Sequence, residues 1–312
     1  MALAIRLAIL ALILLFLACA WAVHLRSHVR LHWRKQLGSH ATAFAPYNLL
    51  MYAFSAVAAK PYADRVRFPS LDSLRNNWKT IRDEALHLFD RGYIRTAERN
   101  NDASFNSFFK EGWKRFYVKW YGEPLPSAQA LCPRTVELVN AIPNVKAAMF
   151  ALLPPGSKLN PHRDPFAGSL RYHLGLITPN NASCRIFVDG REYFWRDGED
   201  VIFDETYVHS AENKSDITRV ILFCDIDRPL RWRWLERLNH RVGAFMGRIT
   251  SSPNTDNEPI GFLNRLYALS QRNRERSKRF KHANPRLFRA MKFAGIVVLL
   301  WVLLLAPWPI LR

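Results

Sequence analysis

Two apolar runs bracket the chain, and a change of period divides what lies between them. Leu3 to Leu25 is apolar except for Arg6 and His24. About twenty such residues cross a bilayer as a helix, and the run is long for a cleaved signal peptide. Phe293 to Leu311 repeats the pattern, with Pro307 and Pro309 near its far end. The pattern predicts a transmembrane helix over residues 1–25 and a second over residues 293–312.

After a basic stretch, His40 to Phe68 mixes aromatic and small residues and reads as an irregular lead-in. Pro69-Ser70-Leu71 opens a helix. Leu71, Leu74, Trp78, Ile81, Ala85 and Leu88 recur at spacings of three and four, an amphipathic stripe that Gly92 stops. A second helical stretch is expected over Arg95 to Arg99. Phe105 to Trp120 is rich in aromatics and ambiguous between helix and strand. Ser127 to Ile142 reads as one further helix, with Pro133 early in it.

From Val145 the period becomes two. Strands are expected at Ala147 to Leu153, Ser169 to Ile177, Cys184 to Val188, Glu192 to Trp195, Asp200 to Phe203 and Thr218 to Asp225. Asp189-Gly190 between two of them is a hairpin signal. Along Ser169 to Ile177, Arg171 and His173 share one face, while Leu170, Tyr172 and Leu174 share the other. Many short strands with frequent turns indicate a sandwich or barrel. Arg231 to Arg289 returns to helix and loop.

Charge adds the orientation. Lys plus Arg number 45 against 26 Asp plus Glu in 312 residues, a net +19. Arg26, Arg30, Arg34 and Lys35 follow the first apolar run. Ten Lys and Arg between Arg265 and Lys292, opposed by Glu275 alone, precede the second. The positive-inside rule then puts the central region in the cytoplasm and both termini outside. The same residues suit an anionic membrane surface. They crowd beside apolar runs instead of interleaving with stacking aromatics, so no nucleic-acid partner is expected. Cys19, Cys132, Cys184 and Cys224 form no C-x-x-C pair, which favours buried thiols in a reducing compartment.

The chemistry concentrates between Asn160 and Arg219. His162 and Asp164 flank one residue, His209 follows about forty-five residues later, and Arg219 lies ten beyond that. Two imidazoles and one carboxylate match a facial Fe(II) site with open positions. Arg219 can hold the distal carboxylate of a dicarboxylic 2-oxo acid; an ion pair with Asp216 or Asp225 is its alternative. Arg171 and His173 can add donors, and His173 reads equally as a core histidine. A zinc hydrolase would leave Arg219 unexplained. The chain has no G-x-S-x-G elbow, no P-loop, no H-E-x-x-H and no G-x-G-x-x-G.

Pro154-Pro155-Gly156 through Pro161-His162-Arg163-Asp164-Pro165, Leu170 to Leu176, Phe203 to His209 and Asn213 to Arg219 together resemble the aspartyl/asparaginyl β-hydroxylase superfamily. Within it, the chain is most similar to the bacterial membrane branch, the lipid A 2-hydroxylases. The resemblance implies an α+β fold: a double-stranded β-helix (jelly-roll or cupin-like) core with flanking helices. The dioxygenase domain would cover residues 69–230. A basic juxtamembrane segment at 26–68 and a basic helical membrane-surface segment at 231–292 would flank it. The resemblance makes His162, Asp164 and His209 the iron ligands and Arg219, with Arg171 and His173, the 2-oxoglutarate contacts; O2 is the other co-substrate. It implies hydroxylation at C2 of a fatty acyl chain of lipid A at the bacterial inner membrane, with succinate and CO2 as co-products. Ornithine lipid, Asp or Asn side chains, and a non-catalytic tethered cupin-like module are the alternatives. The animal protein-hydroxylase branch carries glycine where Asp164 stands and a co-substrate-binding serine near Ala151.

Overall fold

A computed structural model describes residues 2–97 and 101–304. The first apolar run is one helix, α1 (Ala2–Arg26). Among the described residues, its Ala4–Arg26 stretch is the one segment long and apolar enough to cross a membrane. The second expected span begins within a helix over Pro285–Leu304. Its remainder, residues 305–312, lies outside the described residues.

The lead-in is helical in its first part and irregular after it. α2 (Trp33–Leu37) precedes it in the basic stretch; it forms α3 (His40–Ala43) and α4 (Ala45–Ala53), while Phe54 to Phe68 is largely irregular, with a 3₁₀ turn at Arg65–Arg67. Such short helices are marginal alone and depend on packing. Here Ala45 is buried against Cys19, Ala20 and Val23 of α1, and Pro46 occupies the first turn of α4, where a missing N–H costs nothing.

The stripe from Leu71 to Leu88 divides into a 3₁₀ turn at Pro69–Leu71, α5 (Asp72–Asn76) and α6 (Trp78–Asp90). Leu71, Leu74, Ile81, Ala85 and Leu88 are nonetheless all buried in one core. Arg95 is not helical: it bridges antiparallel to Arg115, and residues 98–100 of that expected helix lie outside the described residues. The ambiguous aromatic stretch becomes α7 (Asn106–Phe109) followed by β1 (Lys114–Trp120). The helix expected over Ser127 to Ile142 is two, α8 (Pro126–Leu131) and α9 (Pro133–Asn140). Pro133 divides them because its ring has no N–H to donate and would clash with the carbonyl four residues back.

Eight further strands follow: β2 (Val145–Leu153), β3 (Lys158–His162), β4 (Ser169–Ile177), β5 (Cys184–Val188), β6 (Arg191–Phe194), β7 (Asp200–Phe203), β8 (His209–Asn213) and β9 (Arg219–Asp227). They form two antiparallel sheets, ordered β1-β2-β9-β4-β7 and β3-β8-β5-β6. This two-sheet jelly-roll core with helices on one side is the expected α+β, cupin-like arrangement. The β5–β6 hairpin turns at Asp189-Gly190, both with positive φ (51° and 81°), as a two-residue turn of this kind requires.

The period of two sorts the side chains of the larger sheet. Phe116, Val118, Phe150, Leu170, Tyr172, Leu174 and Leu222 face the helices, packing against Leu74, Ile81 and Leu88. Tyr117, Met149, Ala151, Ile221 and Phe223 face the smaller sheet, against Ile186, Val188 and Trp195. Arg171, His173, Arg219 and Asp225 alternate onto that inner face. Buried charge between apolar sheets is costly unless matched, and it marks the site.

Gly175 of β4 passes directly beneath the turn at Arg196, where a Cβ would lie 2.0 Å from the Arg196 carbonyl oxygen. Backbone hydrogen bonds from Gly175 to Glu199 and from Gly198 to Gly175 hold that approach. Gly175→Ala is expected to destabilise the fold by ~1–3 kcal/mol, measured as a lower denaturation midpoint with an unchanged slope.

Beyond Leu230 the chain stays built into the domain. α10 (Arg233–Thr250) buries Leu235, Asn239, Gly243 and Gly247, one face at a spacing of four. The Asn239 amide donates to the Gly168 carbonyl, and Asn254, in the loop before α11 (Phe262–Ala283), bonds to both backbone groups of Tyr117. Trp234 and Phe245 remain exposed on the outer face of α10. α12 (Pro285–Leu304) completes the described chain.

Candidate metal centre

His162 ends β3 and His209 begins β8, and the sheet register pairs them directly. Their ring centroids lie 4.2 Å apart. Asp164 sits two residues past the end of β3, where its backbone N–H donates to the Glu205 carbonyl at 3.0 Å. One ligand atom from each of His162, Asp164 and His209 lies within 4.8 Å of the others. The three residues named from sequence therefore do converge. The reason differs in part: cross-strand pairing brings the histidines together, while Asp164 is placed by a loop.

The imidazoles are pre-set for a cation. Nδ1 of His162 faces the Asn160 carbonyl at 2.7 Å, and Nδ1 of His209 faces the Tyr207 carbonyl at 3.0 Å. A carbonyl only accepts, so each Nδ1 carries the proton and each Nε2 lone pair is free. Burial lowers both pKa values, that of His209 to about 3 with help from the adjacent His162. Burial pushes Asp164 up, but Arg171 and the two histidines outweigh it and hold the carboxyl below its ordinary value. Two neutral nitrogens and one carboxylate is the donor set that suits a ferrous ion.

Arg171 lines the cavity but is also paired within the protein. Its Nη2 donates to Asp164 Oδ2 at 2.8 Å and its Nε to Asp225 Oδ1 at 2.7 Å. The guanidinium holds Asp164, a candidate ligand, from behind, with its Nε and Nη2 occupied. The β4–β9 register sets Arg171 opposite Asp225, which explains this pairing. Glu205 lies on the same network: Ser169 donates to its Oε1, its Oε2 has no partner, and burial raises its pKa to about 8.

Arg219 and His173 differ from Arg171 in having no hydrogen-bond or ion-pair partner among the described residues. Arg219 is buried and makes no ion pair among the described residues; neither Asp216 nor Asp225 reaches it, and its Nε has no hydrogen-bond partner. Its guanidinium stacks over Trp195 at 4.4 Å. Burial without a carboxylate lowers its pKa to about 10. Both ring nitrogens of His173 are also buried and unpartnered, between Phe203 and Phe223. Buried polar atoms in native folds nearly always have partners, so this set points to a missing anionic guest. Ala151, Arg219 and His173 line the same cavity as the triad. Where a serine stands in the animal branch, Ala151 offers no hydroxyl.

The sequence reading passed over Arg163, between the two ligands of the H-x-D motif. It points the opposite way, into the end of α1, where Nη1 donates to the Val23 carbonyl at 2.7 Å. Nearby, Arg26 pairs with Asp204 at 2.6 Å between the rings of Tyr52 and Tyr207. Val29 N–H donates to Asp189, and Lys35 to the Pro161 carbonyl. The first apolar helix thus ends clamped onto the metal-binding loop. Arg163→Ala is expected to weaken metal affinity ~10–100-fold, as loss of an outer-shell support does. Titration of chelator-treated protein with Co(II) checks this, and affinity equal to the parent would refute the clamp.

Residues 75–229 match the family described as Aspartyl/Asparaginyl beta-hydroxylase. An "Ornithine lipid ester-linked acyl 2-hydroxylase" of Rhizobium tropici is 33% identical over 184 residues, covering 57% of this chain and 64% of that protein. The human "Aspartyl/asparaginyl beta-hydroxylase" is 28% identical over 164 residues, 50% of this chain and 21% of that protein. Each match therefore spans less than two thirds of the relative. Among solved structures, a Pseudomonas putida prolyl-4-hydroxylase aligns with 49% of this chain and 87% of its own, at a TM-score of 0.32 and 20% identity. The family match covers His162, Asp164, His209 and Arg219, and over residues 75–229 this chain is similar to the aspartyl/asparaginyl beta-hydroxylases.

Proposed function

We propose that the chain is an Fe(II)- and 2-oxoglutarate-dependent hydroxylase acting at C2 of a fatty acyl chain of a membrane lipid. The observation that carries this reading is the buried Arg219 without an ion pair, lining one cavity with a His-Asp-His triad. A dicarboxylic 2-oxo acid has the length and the second charge to use both ends. His162, Asp164 and His209 would hold the iron, which with O2 and 2-oxoglutarate supplies the oxidising chemistry for an unactivated C–H bond.

The protein's own residues do the rest. Arg219 binds the distal carboxylate by a charge-assisted pair in a site shielded from water. His173 offers one donor and one acceptor beside it. Arg171 fixes the Asp164 carboxylate, leaving Oδ1 for the metal, and the two backbone carbonyls fix the imidazole tautomers. Trp113, Trp195, Phe203 and Phe223 close the cavity against bulk water.

Lipid A is the substrate we favour, because its phosphates suit the basic flanks of the apolar runs. The reading places the domain on the cytoplasmic face of a bacterial inner membrane with a two-pass topology. Ornithine lipid is the second reading, favoured by the name of the Rhizobium tropici relative. Mass spectrometry of lipid A and of ornithine lipid, with and without the gene, decides between them. One added oxygen on a lipid A acyl chain is the expected result. An unchanged lipid A beside an oxygenated ornithine lipid would transfer the assignment, and an oxygenated protein with both lipids unchanged would end the lipid reading.

A further inference from the structure

A second cavity, of about 130 Å³, adjoins the Asp164–Arg171 pair. Those two residues line both cavities, so the two spaces meet at that pair. Phe44, Phe105, Trp120, Tyr121, Phe166 and Met246 give it apolar walls, and Ser169, Glu205, Asp225 and Thr250 also line it. Eleven of its lining residues belong to the family-matched stretch, residues 75–229, and Phe44, Met246, Gly247 and Thr250 come from outside it.

We propose that this cavity receives the methylene tail of the acyl chain whose C2 meets the metal, and that Met246 and Phe44 set the chain length accepted. The inference rests on the acyl-hydroxylase reading above and names the part of the substrate that reading leaves unplaced.

Reaction at C2 puts the acyl carbonyl on one side of the attacked carbon and the tail on the other. The tail needs an apolar path that starts within a few bonds of the metal. This cavity starts at a metal ligand, Asp164. Its size also fits: an engineered apolar cavity of ~150 Å³ accepts a benzene-sized guest, so this one holds a short run of methylenes and would discriminate by length. Two of its walls, Phe44 and Met246, come from elements that the proposed function puts beside the membrane. Phe44 joins α3 to α4, which packs on α1. Met246 belongs to α10, whose outer face exposes Trp234 and Phe245 with Arg237 and Arg241 between them. Aromatic and basic residues together are what a helix lying in the lipid interface presents.

The test uses full-length enzyme with Fe(II), 2-oxoglutarate and a total bacterial lipid extract. After hydrolysis, 2-hydroxy fatty acids are quantified by chain length, with succinate measured in parallel. Met246→Trp shortens the cavity and is expected to shift the short-to-long product ratio by roughly ten-fold or more, the scale of a few methylenes in an apolar pocket. Met246→Ala is expected to shift it the other way. Product ratios unchanged in both variants, or equal loss at every chain length, would overturn the assignment while leaving the hydroxylase intact. Wild-type enzyme that forms succinate but no 2-hydroxy fatty acid would remove the acyl reading itself, and this assignment with it.

Discussion

Replacing His209 with alanine is expected to reduce lipid hydroxylation and iron-dependent succinate formation to background. The loss should exceed the ~10–100-fold that follows from disturbing an outer-shell partner, because a donor atom itself disappears. His209 starts β8 and pairs with His162, so no neighbouring side chain can take over its position. The fold should survive. The substitution leaves the Tyr207 carbonyl without its imidazole donor, and an orphaned buried group costs ~1–3 kcal/mol, a few degrees of melting temperature. Two measurements separate the roles. Co(II) absorption in the variant should lack the ligand-field bands of the parent, and circular dichroism should be unchanged. Retained Co(II) binding, or retained turnover, would remove His209 from the ligand set.

How far the sequence led depends on which physical rule each residue obeys. The period of two along β4 correctly put Arg171 and His173 on one face, and the spacing from His209 correctly returned Arg219 to the same cavity. Side-chain alternation is local, and sequence carries it. Partnership across strands is not local. That Arg171 meets Asp225 follows from the β4–β9 register, so a residue read as a donor to the cavity is also tied to a carboxylate of the neighbouring strand. β8 was passed over because His209 to Asn213 is mostly polar and shows no apolar alternation; it is a strand because β3 and β5 pair with it on both sides.

The short helices of the lead-in were illegible for a related reason. α3 and α4 span four and nine residues, too short for a periodic signal, and α4 forms against α1. Arg163 lay in view inside the H-x-D motif. Arg163 follows the last residue of β3 and turns toward α1, and only α1 in place shows what it holds. The segment after Leu230 was read as basic helix and loop from its charge and its apolar residues. Charge describes its outer face, whereas the buried spacing of Leu235, Asn239, Gly243 and Gly247 decides how it packs.

Arg219→Met should separate co-substrate binding from everything else. The guanidinium is held without an ion pair in a buried site, with its pKa lowered to about 10 by burial. At ~1.4 kcal/mol per pKa unit, keeping it charged there costs the empty fold ~3 kcal/mol. Methionine fills similar space with no charge, so the variant without co-substrate should melt a few degrees higher than the parent. Activity should move the opposite way. Losing one partner of a buried, hydrogen-bonded charge pair costs ~2–5 kcal/mol, which predicts a rise of ~100-fold in KM for 2-oxoglutarate. Co(II) affinity should stay at the parent value, since no metal ligand is touched. A 2-oxo acid lacking the distal carboxylate supplies the control: parent and variant should use it equally poorly. If the variant discriminates between the two acids as well as the parent does, Arg219 does not bind the carboxylate, and a different feature must account for a buried guanidinium with no counter-charge.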